Sequence, residues 1–290
     1  MKFAYFPGCS LKGSGRAYEE SLLPVLSALG VELEELNDWN CCGATAYMAV
    51  SDAAGYVLAA RNLALAEQKK QDLVAPCSGC YLVLNKCNHY AAEYPDVATR
   101  VQETLKRDNL TYQGTSKVLH PLDIIVNQIG LDAIKKRVTN PLKGFKVAPY
   151  YGCQIVRPYA TFDDQHNPVT MDKLFKALGA EVVTYPLKTR CCGGSLTGTV
   201  TEVGQNMSYI LLREAVKRGA NVLATTCPLC QFNLDAYQDD IASDYKQSVK
   251  MPIVYFTQLM GLAFGIPAEK LGLQRCIVPM ELQPAAALAK

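Results

Sequence analysis

The chain has 290 residues, of which 49% are hydrophobic and 19% are charged, and its formal net charge is +2. This apolar content suffices for one large core or two smaller ones and argues against a disordered chain. The near-neutral charge indicates no general role at nucleic acids or membrane surfaces. We find no apolar run of about 18 residues and no signal-peptide pattern, so we expect a cytoplasmic chain without a membrane span.

In the first half, the apolar pattern predicts strands that alternate with helices. We expect strands over 2–6, 31–36, 72–75 and 117–119. We expect helices over 17–29, over 53–70, from about 78 to 107, and over 121–129. Gly30 directly follows the first of these helices, as is usual at a helix end.

The second half repeats the same order of elements. Strands are predicted over 145–150, 181–185, 221–225 and 252–256, and helices over 169–178, 201–218 and 257–264. Strands that alternate with helices imply parallel sheets, so we predict an α/β fold in which each half is a small parallel sheet with flanking helices. The turn-rich segment 139–144 is the expected linker between two similar domains, 1–140 and 145–290.

Ten of the twelve cysteines form a pattern that occurs twice. The first copy is Cys9, Cys41, Cys42, Cys77 and Cys80, and the second is Cys153, Cys191, Cys192, Cys227 and Cys230. In both copies 34 residues separate the adjacent pair from the CxxC. A fixed spacing that recurs in both halves predicts a duplicated metal-binding unit.

Each of these cysteines closely follows the carboxyl end of a predicted strand or begins the next helix. Because parallel strands place all their carboxyl ends at one edge, we expect each group of five to converge on one site. Helix N-termini at that edge would favour anionic thiolates and sulfides.

Five thiolates per half exceed the four ligands of a structural zinc site or an ordinary four-iron cubane. Two adjacent cysteines can reach two different metal ions, or one of their thiolates can bridge two irons. The spacing therefore favours a multinuclear iron–sulfur cluster of unusual shape in each half. A zinc site and a redox dithiol remain alternatives.

The pattern resembles the cysteine-rich CCG domain, with Cys41-Cys42-Gly43 and Cys191-Cys192-Gly193 as its triplets. Two complete copies in a chain of this length resemble the B subunit of heterodisulfide reductase. The resemblance implies one noncubane [4Fe-4S] cluster in each half, held by the five cysteines of that half.

The resemblance also implies a function. A small disulfide, such as the mixed disulfide of coenzyme M and coenzyme B, would be reduced to two thiols between the two clusters, each giving one electron. The sequence has neither a ferredoxin-type cysteine run nor a nucleotide fingerprint. Electrons would therefore arrive from the partners that the resemblance implies, which are the ferredoxin-like iron–sulfur C subunit and the flavin-containing A subunit of the same complex.

Two other readings stay open at this point. CCG domains also occur in electron-transfer subunits of hydroxyacid oxidases and of one class of succinate:quinone reductase. A zinc scaffold without redox activity is the third reading.

Several residues outside the pattern have weaker claims to a role. His120 follows the fourth predicted strand and could donate a hydrogen bond or a proton at the site, although a structural role is the favoured interpretation. Cys87 and Cys276 lie outside the repeat and are expected to be inert thiols. Five basic residues close to the cysteines in sequence are either substrate contacts or solvated charges: Lys12, Arg16, Arg157, Lys188 and Arg190.

Overall fold

The computed structural model describes residues 1–44 and 46–282, and each half of the sequence forms one four-stranded parallel sheet. The strands of the first sheet are β1 (Lys2–Tyr5), β2 (Glu32–Glu35), β3 (Leu73–Val74) and β4 (Val118–Leu119). Those of the second sheet are β5 (Lys146–Tyr150), β6 (Glu181–Val182), β7 (Val222–Thr225) and β8 (Ile253–Tyr255). The predicted α/β fold with two similar parallel sheets is confirmed.

Helices flank both sheets. In the first half they are α1 (Gly8–Leu11), α2 (Arg16–Ala28), α3 (Ala46–Val50), α4 (Asp52–Gln68), α5 (Ser78–Glu93), α6 (Pro95–Leu105), α7 (Pro121–Asp123) and α8 (Leu131–Arg137). In the second half they are α9 (Thr170–Ala177), α10 (Thr201–Lys217), α11 (Pro228–Ala236), α12 (Gln238–Tyr245) and α13 (Phe256–Ala263). A π-helix over Ile124–Ile129 continues α7.

The two sheets have the same strand order, β2-β1-β3-β4 and β6-β5-β7-β8. In each sheet the second strand lies on one side of the first strand, and the third and fourth strands lie on its other side. The direction of winding therefore reverses between β1 and β3, and between β5 and β7. Open α/β sheets bind ligands at the carboxyl ends of such a pair of strands.

The central strands are buried on both faces because helices cover both sides of each sheet. All four residues of β7 are buried, as are the last three of β1. This explains why these segments have continuous apolar runs rather than an alternating pattern.

Burial is continuous across the two halves. One cluster of buried side chains runs from Phe3 through to Phe256 and Met260, and α2 packs against α13. At this contact the rings of Tyr18 and Tyr255 stack with their centroids 4.5 Å apart. Both halves thus contribute to a shared core, and the proposed domain limits, 1–140 and 145–290, stay a prediction.

The predicted linker packs against the second half. The backbone N–H groups of Thr139 and Asn140 both donate to the carbonyl of Ala263, and the N–H of Leu142 donates to Leu178. These bonds fix where the chain enters the second sheet.

The predicted helical stretch from about 78 to 107 consists of two helices, α5 and α6. Tyr94 is extended, with φ −118° and ψ 105°, and Pro95 begins α6. A residue that precedes proline is disfavoured in the helical conformation, so the chain bends here. The sequence pattern also did not predict the short helices α1, α3 and α8 or the pair α11 and α12.

Candidate metal centre

The ten cysteines of the repeated pattern all lie at the carboxyl ends of the strands. In the first half, Cys9 lies in α1 just after β1, and the adjacent pair Cys41-Cys42 lies in the loop after β2. Cys77 follows β3 as the N-cap of α5, and Cys80 lies in the first turn of that helix. The loops that the cysteine spacing predicted to converge do meet at the point where the winding reverses.

The second half repeats this placement. Cys153 follows β5, and the pair Cys191-Cys192 follows β6. Cys227 follows β7 as the N-cap of α11, whose first turn contains Cys230.

The side chains of each group interact with one another in an ordered series. In the first half the thiols interact in the order Cys41, Cys42, Cys80 and Cys77, and Cys9 interacts electrostatically with Cys41. The structure thus brings together all five cysteines predicted for the first site.

The second series runs from Cys153 through Cys191 to Cys192, and then through Cys230 to Cys227. The sulfur atoms of Cys192 and Cys230 are 3.5 Å apart. All five cysteines predicted for the second site are therefore also grouped.

The two groups meet at one point. The thiols of Cys77 and Cys227 interact electrostatically, although they lie 150 positions apart in the sequence. The neighbouring hydroxyls of Ser78 and Thr226 lie 3.3 Å apart and join the two halves at this point. The two groups of sulfur atoms therefore lie side by side, and together they form one array.

Solvent reaches the two ends of this array but not its middle. Cys9 is exposed, and Cys41, Cys153 and Cys191 are partly exposed. The remaining six are buried, among them Cys77 at 8% exposure and Cys227 at 4%. Each group is therefore open at its outer end and closed where it meets the other group.

Neighbouring thiols shift one another's pKa values in opposite directions. Hydrogen bonds from Cys41 and Cys80 lower the pKa of Cys42 to about 4, and the same contacts raise the pKa of Cys41 and of Cys80. In the second half, Cys153 and Cys192 lower the pKa of Cys191 to about 2, and Arg157 adds to this shift. Because neighbouring thiolates repel one another, a positive charge among the five sulfur atoms would favour ionisation of all of them.

Backbone N–H groups also face the sulfur atoms. The N–H of Gly193 donates to Sγ of Cys191 at 3.4 Å, and the N–H of Gly194 donates to Sγ of Cys192 at 3.3 Å. The N-termini of α5 and α11 begin directly after Cys77 and Cys227. Both features stabilise negative charge on sulfur.

The glycine of each Cys-Cys-Gly triplet is required by close backbone packing. Gly193 has φ +84°, and a Cβ added there would lie 2.8 Å from the carbonyl oxygen of Gly204 in α10. In the first half, Gly43 has φ +83° and packs in the same way on Gly55 in α4. These glycine pairs allow the loops that carry the adjacent cysteines to lie against a helix.

Polar side chains hold the second loop in place. The carbonyl of Cys192 accepts hydrogen bonds from Ser208 and from Asn233, both at 3.0 Å, and Asn233 also donates to Ser208 at 2.9 Å. All three residues are buried. Sequence reasoning did not find Ser208 or Asn233, because no local pattern links them to the cysteines.

The donor set fits a multinuclear iron–sulfur group in two respects. The donors are soft thiolates, the ligand type that iron–sulfur clusters take, and their ionisation needs a cation. In addition, the buried hydroxyl of Tyr18 has no hydrogen-bond partner among the described residues, and it interacts electrostatically with Cys77 and Cys227.

His120 is fully buried beside the first site and caps α7. Its Nδ1 accepts from the N–H of Leu122 at 3.1 Å, so Nε2 carries the proton and donates to the carbonyl of Pro76 at 2.9 Å. Burial lowers the pKa of His120 to about 4, which keeps the ring neutral. A catalytic role for His120 stays a prediction, and proton transfer from Nε2 would break its hydrogen bond to Pro76, the residue before Cys77.

Two of the five basic residues form ion pairs within the protein. Lys188 is buried and pairs with Asp172 at 2.8 Å, while its backbone carbonyl accepts from the N–H groups of Tyr151 and Gly152. Lys12 pairs with Glu19 and Glu35 at 2.8 and 2.9 Å. These pairs orient the loops that lead to Cys9, Cys153 and Cys191.

The other three basic residues are more accessible. Arg16 is largely exposed and lies 3.5 Å from Glu20. Arg157 donates to the carbonyl of Thr189, and Arg190 is exposed. Because Arg157 and Arg190 lie beside the open end of the second site, they are the better placed of the five to meet an anionic ligand.

The two cysteines outside the pattern do not join the array. Cys87 is fully buried, and its thiol donates to the carbonyl of Tyr56 at 3.5 Å. Cys276 is partly buried, and its thiol lies 3.9 Å from the carbonyl of Ile253. Burial raises the pKa of both thiols to about 12, as expected for unreactive cysteines.

Comparison with known families identifies the repeated unit. The Cysteine-rich domain family (CCG) matches residues 3–85 and again residues 147–235. Each matched range includes one complete set of five cysteines.

The relatives that match over nearly their full length are named either as a fumarate reductase subunit or as heterodisulfide reductase B subunits. The chain is 36% identical to the 8-methylmenaquinol:fumarate reductase membrane anchor subunit of Wolinella succinogenes, over 96% of this chain and 97% of that protein. It is 31% identical to a protein of Archaeoglobus profundus that is named as similar to the B subunit of heterodisulfide reductase, over 97% and 96% of the two chains. It is 28% identical to the B subunit of a ferredoxin:CoB-CoM heterodisulfide reductase of Methanosarcina mazei, over 94% and 93%.

The fold also occurs in a solved structure. A hypothetical protein from Helicobacter pylori superposes with a TM-score of 0.77 at 15% identity, over 97% of this chain. The chain spans about half of that protein, 52% of its length, so this likeness concerns the fold alone. Across the described part of the chain, no helix is both long and apolar enough to cross a membrane.

Proposed function

The chain belongs to the cysteine-rich CCG domain family, and from this we propose that it is the redox subunit that reduces a small disulfide within a multisubunit oxidoreductase. It would hold two noncubane [4Fe-4S] clusters, one in each group of five cysteines. The observation that carries this proposal is that the two groups meet at the buried residues Cys77 and Cys227. The adjacent hydroxyls of Ser78 and Thr226 lie 3.3 Å apart across the two halves.

The proposed ligands are the ten cysteines of the repeated pattern. The first cluster would be held by Cys9, Cys41, Cys42, Cys77 and Cys80, and the second by Cys153, Cys191, Cys192, Cys227 and Cys230. When bound, an iron–sulfur cluster supplies transfer of one electron at a time. Reduction of a disulfide needs two electrons and two protons and yields two thiols, so two adjacent one-electron sites match the demand of this substrate.

The protein divides the array into a dry middle and two accessible ends. Buried side chains surround Cys77 and Cys227, which keeps water away from the contact between the sites. Cys9 and Cys191 mark the accessible ends. Arg157 and Arg190 lie at the second of these ends, where their charges would attract a substrate that has carboxylate, sulfonate or phosphate groups.

Electrons would come from partner subunits. We propose a ferredoxin-like iron–sulfur protein and a flavin-containing protein, equivalent to the C and A subunits of heterodisulfide reductases. The mixed disulfide of coenzyme M and coenzyme B is one example of the substrate. Twelve free cysteines suit a reducing compartment, and we propose the cytoplasm.

A second candidate is supported by the relative from Wolinella succinogenes. Its name assigns it to a complex that oxidises a quinol and reduces fumarate, and it shares 36% identity with this chain. The same paired sites would then pass electrons between partner subunits without binding a disulfide. Oxidation of a quinol also releases two electrons, so the paired arrangement suits this role as well.

Metal analysis tests the shared part of both candidates. We expect about eight irons and about eight acid-labile sulfides per chain after anaerobic purification, because two four-iron clusters are proposed. The measurement is iron and sulfide content with zinc determined in parallel. About four irons would contradict the paired arrangement, and zinc without sulfide would contradict iron–sulfur chemistry altogether.

A kinetic assay then separates the two candidates. With an artificial one-electron donor, a disulfide-reducing chain should consume donor in proportion to added heterodisulfide and release two thiols per disulfide. A chain that is loaded with both clusters but releases no thiol from any disulfide tested would favour the electron-transfer candidate.

A further inference from the structure

Tyr18 has an unusual hydroxyl group. Its side chain is 0% exposed, and the hydroxyl makes no hydrogen bond within residues 1–44 and 46–282. A buried polar group without a partner costs free energy, so native structures retain few of them without a reason.

The position of Tyr18 suggests that reason. Its ring stacks on Tyr255 at 4.5 Å and meets the edge of Phe256 at 6.0 Å. Tyr255 ends β8 and pairs with Thr225 at the end of β7, two residues before Cys227. Tyr18 belongs to the first half of the chain, so its ring crosses into the second half at the point where the two sulfur groups meet.

Electrostatic effects agree with this placement. Burial raises the pKa of the Tyr18 hydroxyl well above its ordinary value, and further increases come from Tyr255, Cys77 and Cys227. The effect of Cys77 is larger than that of Cys227. Geometry supports the same placement, because a Cβ added to Gly15, one turn before Tyr18, would lie 2.8 Å from Cβ of Pro228, the residue after Cys227.

We infer that the Tyr18 hydroxyl donates a hydrogen bond to the Cys77 thiolate when the first cluster is bound, and that Tyr18 is a positioning residue for the contact between the two sites. This inference rests on the proposed function. Metal binding deprotonates cysteine ligands, and a thiolate is a stronger hydrogen-bond acceptor than a neutral thiol.

Tyr18 also makes the two halves unequal. The sequence Ala-Leu-Gly ends the equivalent helices at 28–30 and 177–179, an offset of 149 residues, which aligns Tyr18 with Asn167. Asn167 is exposed and lies in the loop before α9. Asn167 is therefore not an equivalent buried donor, and a single O–H group at Tyr18 can serve only one of the two sites.

A hydrogen bond of this kind should raise the reduction potential of the first cluster. The positive end of the O–H dipole stabilises the additional negative charge of the reduced form, and hydrogen bonds to sulfur are among the factors that set these potentials. Its loss should make reduction of that cluster about tenfold less favourable, which for one electron corresponds to about 59 mV.

The test is the Tyr18→Phe variant, with Tyr185→Phe as a matched control. Tyr185 is 1% exposed, its hydroxyl donates to the carbonyl of Leu211 at 3.0 Å, and its pKa is raised by burial and Glu214 rather than by cysteines. Two measurements are made on each protein: the melting temperature of the metal-free chain, and the midpoint potentials of both clusters by EPR-monitored redox titration.

We expect opposite results for the two variants. Tyr18→Phe should melt at the same temperature as the wild type or higher, because no hydrogen bond is lost in the metal-free chain, and one midpoint potential should fall. Tyr185→Phe should melt at a lower temperature and keep both potentials. Failure of Tyr18→Phe to take up the first cluster, with an unchanged metal-free melting temperature, would also support the inference.

Two results would overturn it. One is a metal-free Tyr18→Phe chain that is destabilised as much as Tyr185→Phe, since the hydroxyl would then have a structural partner. The other is an unchanged pair of midpoint potentials. If the wild-type chain itself holds no clusters, the proposed function fails first, so the two failures can be told apart.

Discussion

Replacing Cys42 or Cys192 with serine is expected to abolish two-electron disulfide reduction, although each change removes only one of the two proposed clusters. Both side chains are 3% exposed and lie in the middle of their series of sulfur contacts. Serine has nearly the same shape, but its hydroxyl stays protonated near neutral pH and is a harder ligand than thiolate. The affected site should lose its iron, while the other site keeps its own five cysteines.

The measurement is steady-state disulfide reduction with an artificial donor, together with iron counts for each variant. About half of the wild-type iron and a rate near background are expected for both changes. Cys87→Ser is the matched control, because Cys87 is buried in the same half and lies outside the array. It should keep all of its iron. A variant that lost one cluster but kept most of its rate would favour the electron-transfer candidate.

The Gly193→Ala change is expected to have the second large effect, through the backbone rather than through a ligand. Gly193 has φ +84°, and the added methyl group would lie within 3 Å of the backbone of Gly204. The unfavourable φ costs about 1–3 kcal/mol, and overpacking costs about 1–3 kcal/mol more. We therefore expect the free energy of unfolding to fall by at least about 2 kcal/mol and the loop with Cys191 and Cys192 to move.

Chemical denaturation of the metal-free chain and iron content of the loaded chain measure these two effects. Gly198→Ala is the control, because Gly198 lies in the same region, and an added Cβ would meet no atom within 4 Å. It should retain its stability and its iron. Equal stability and equal iron content in the two variants would show that close packing of the Cys-Cys-Gly turn does not hold the second site in place.

The sequence predicted those parts of the site whose positions follow from the parallel direction of the strands. Every cysteine in the pattern follows a strand, and parallel strands bring such positions to one edge of a sheet. For this reason spacing alone was enough to group Cys41 with Cys77, and Cys191 with Cys227. The α/β fold followed from the same alternation of strands and helices.

The contact between the halves could not be predicted in this way. No periodicity relates Cys77 to Cys227 or Tyr18 to Tyr255, because these pairs form only when the two halves of the chain pack on each other. The role of Lys188 was open for a similar reason, since its partner Asp172 lies on another element. A charged residue beside a cysteine in sequence is as readily a buried support as a substrate contact.

Two signals in the sequence point to features that the predicted elements left out. Pro95 follows Tyr94 inside a predicted helix, which is a common place for a helix to end. Gly55 and Gly204 lie inside helical patterns, where an isolated glycine usually has a packing reason. In the structure the glycine of each Cys-Cys-Gly triplet packs against one of these two helical glycines.

The central claim is that the two clusters lie side by side across the contact of Cys77 with Cys227. EPR spectroscopy of the loaded chain, reduced until both clusters are paramagnetic, tests it most directly. The wild-type spectrum should contain a magnetic interaction between the clusters that is absent from the Cys42→Ser and Cys192→Ser proteins. A wild-type spectrum equal to the sum of the two single-cluster spectra would contradict the claim.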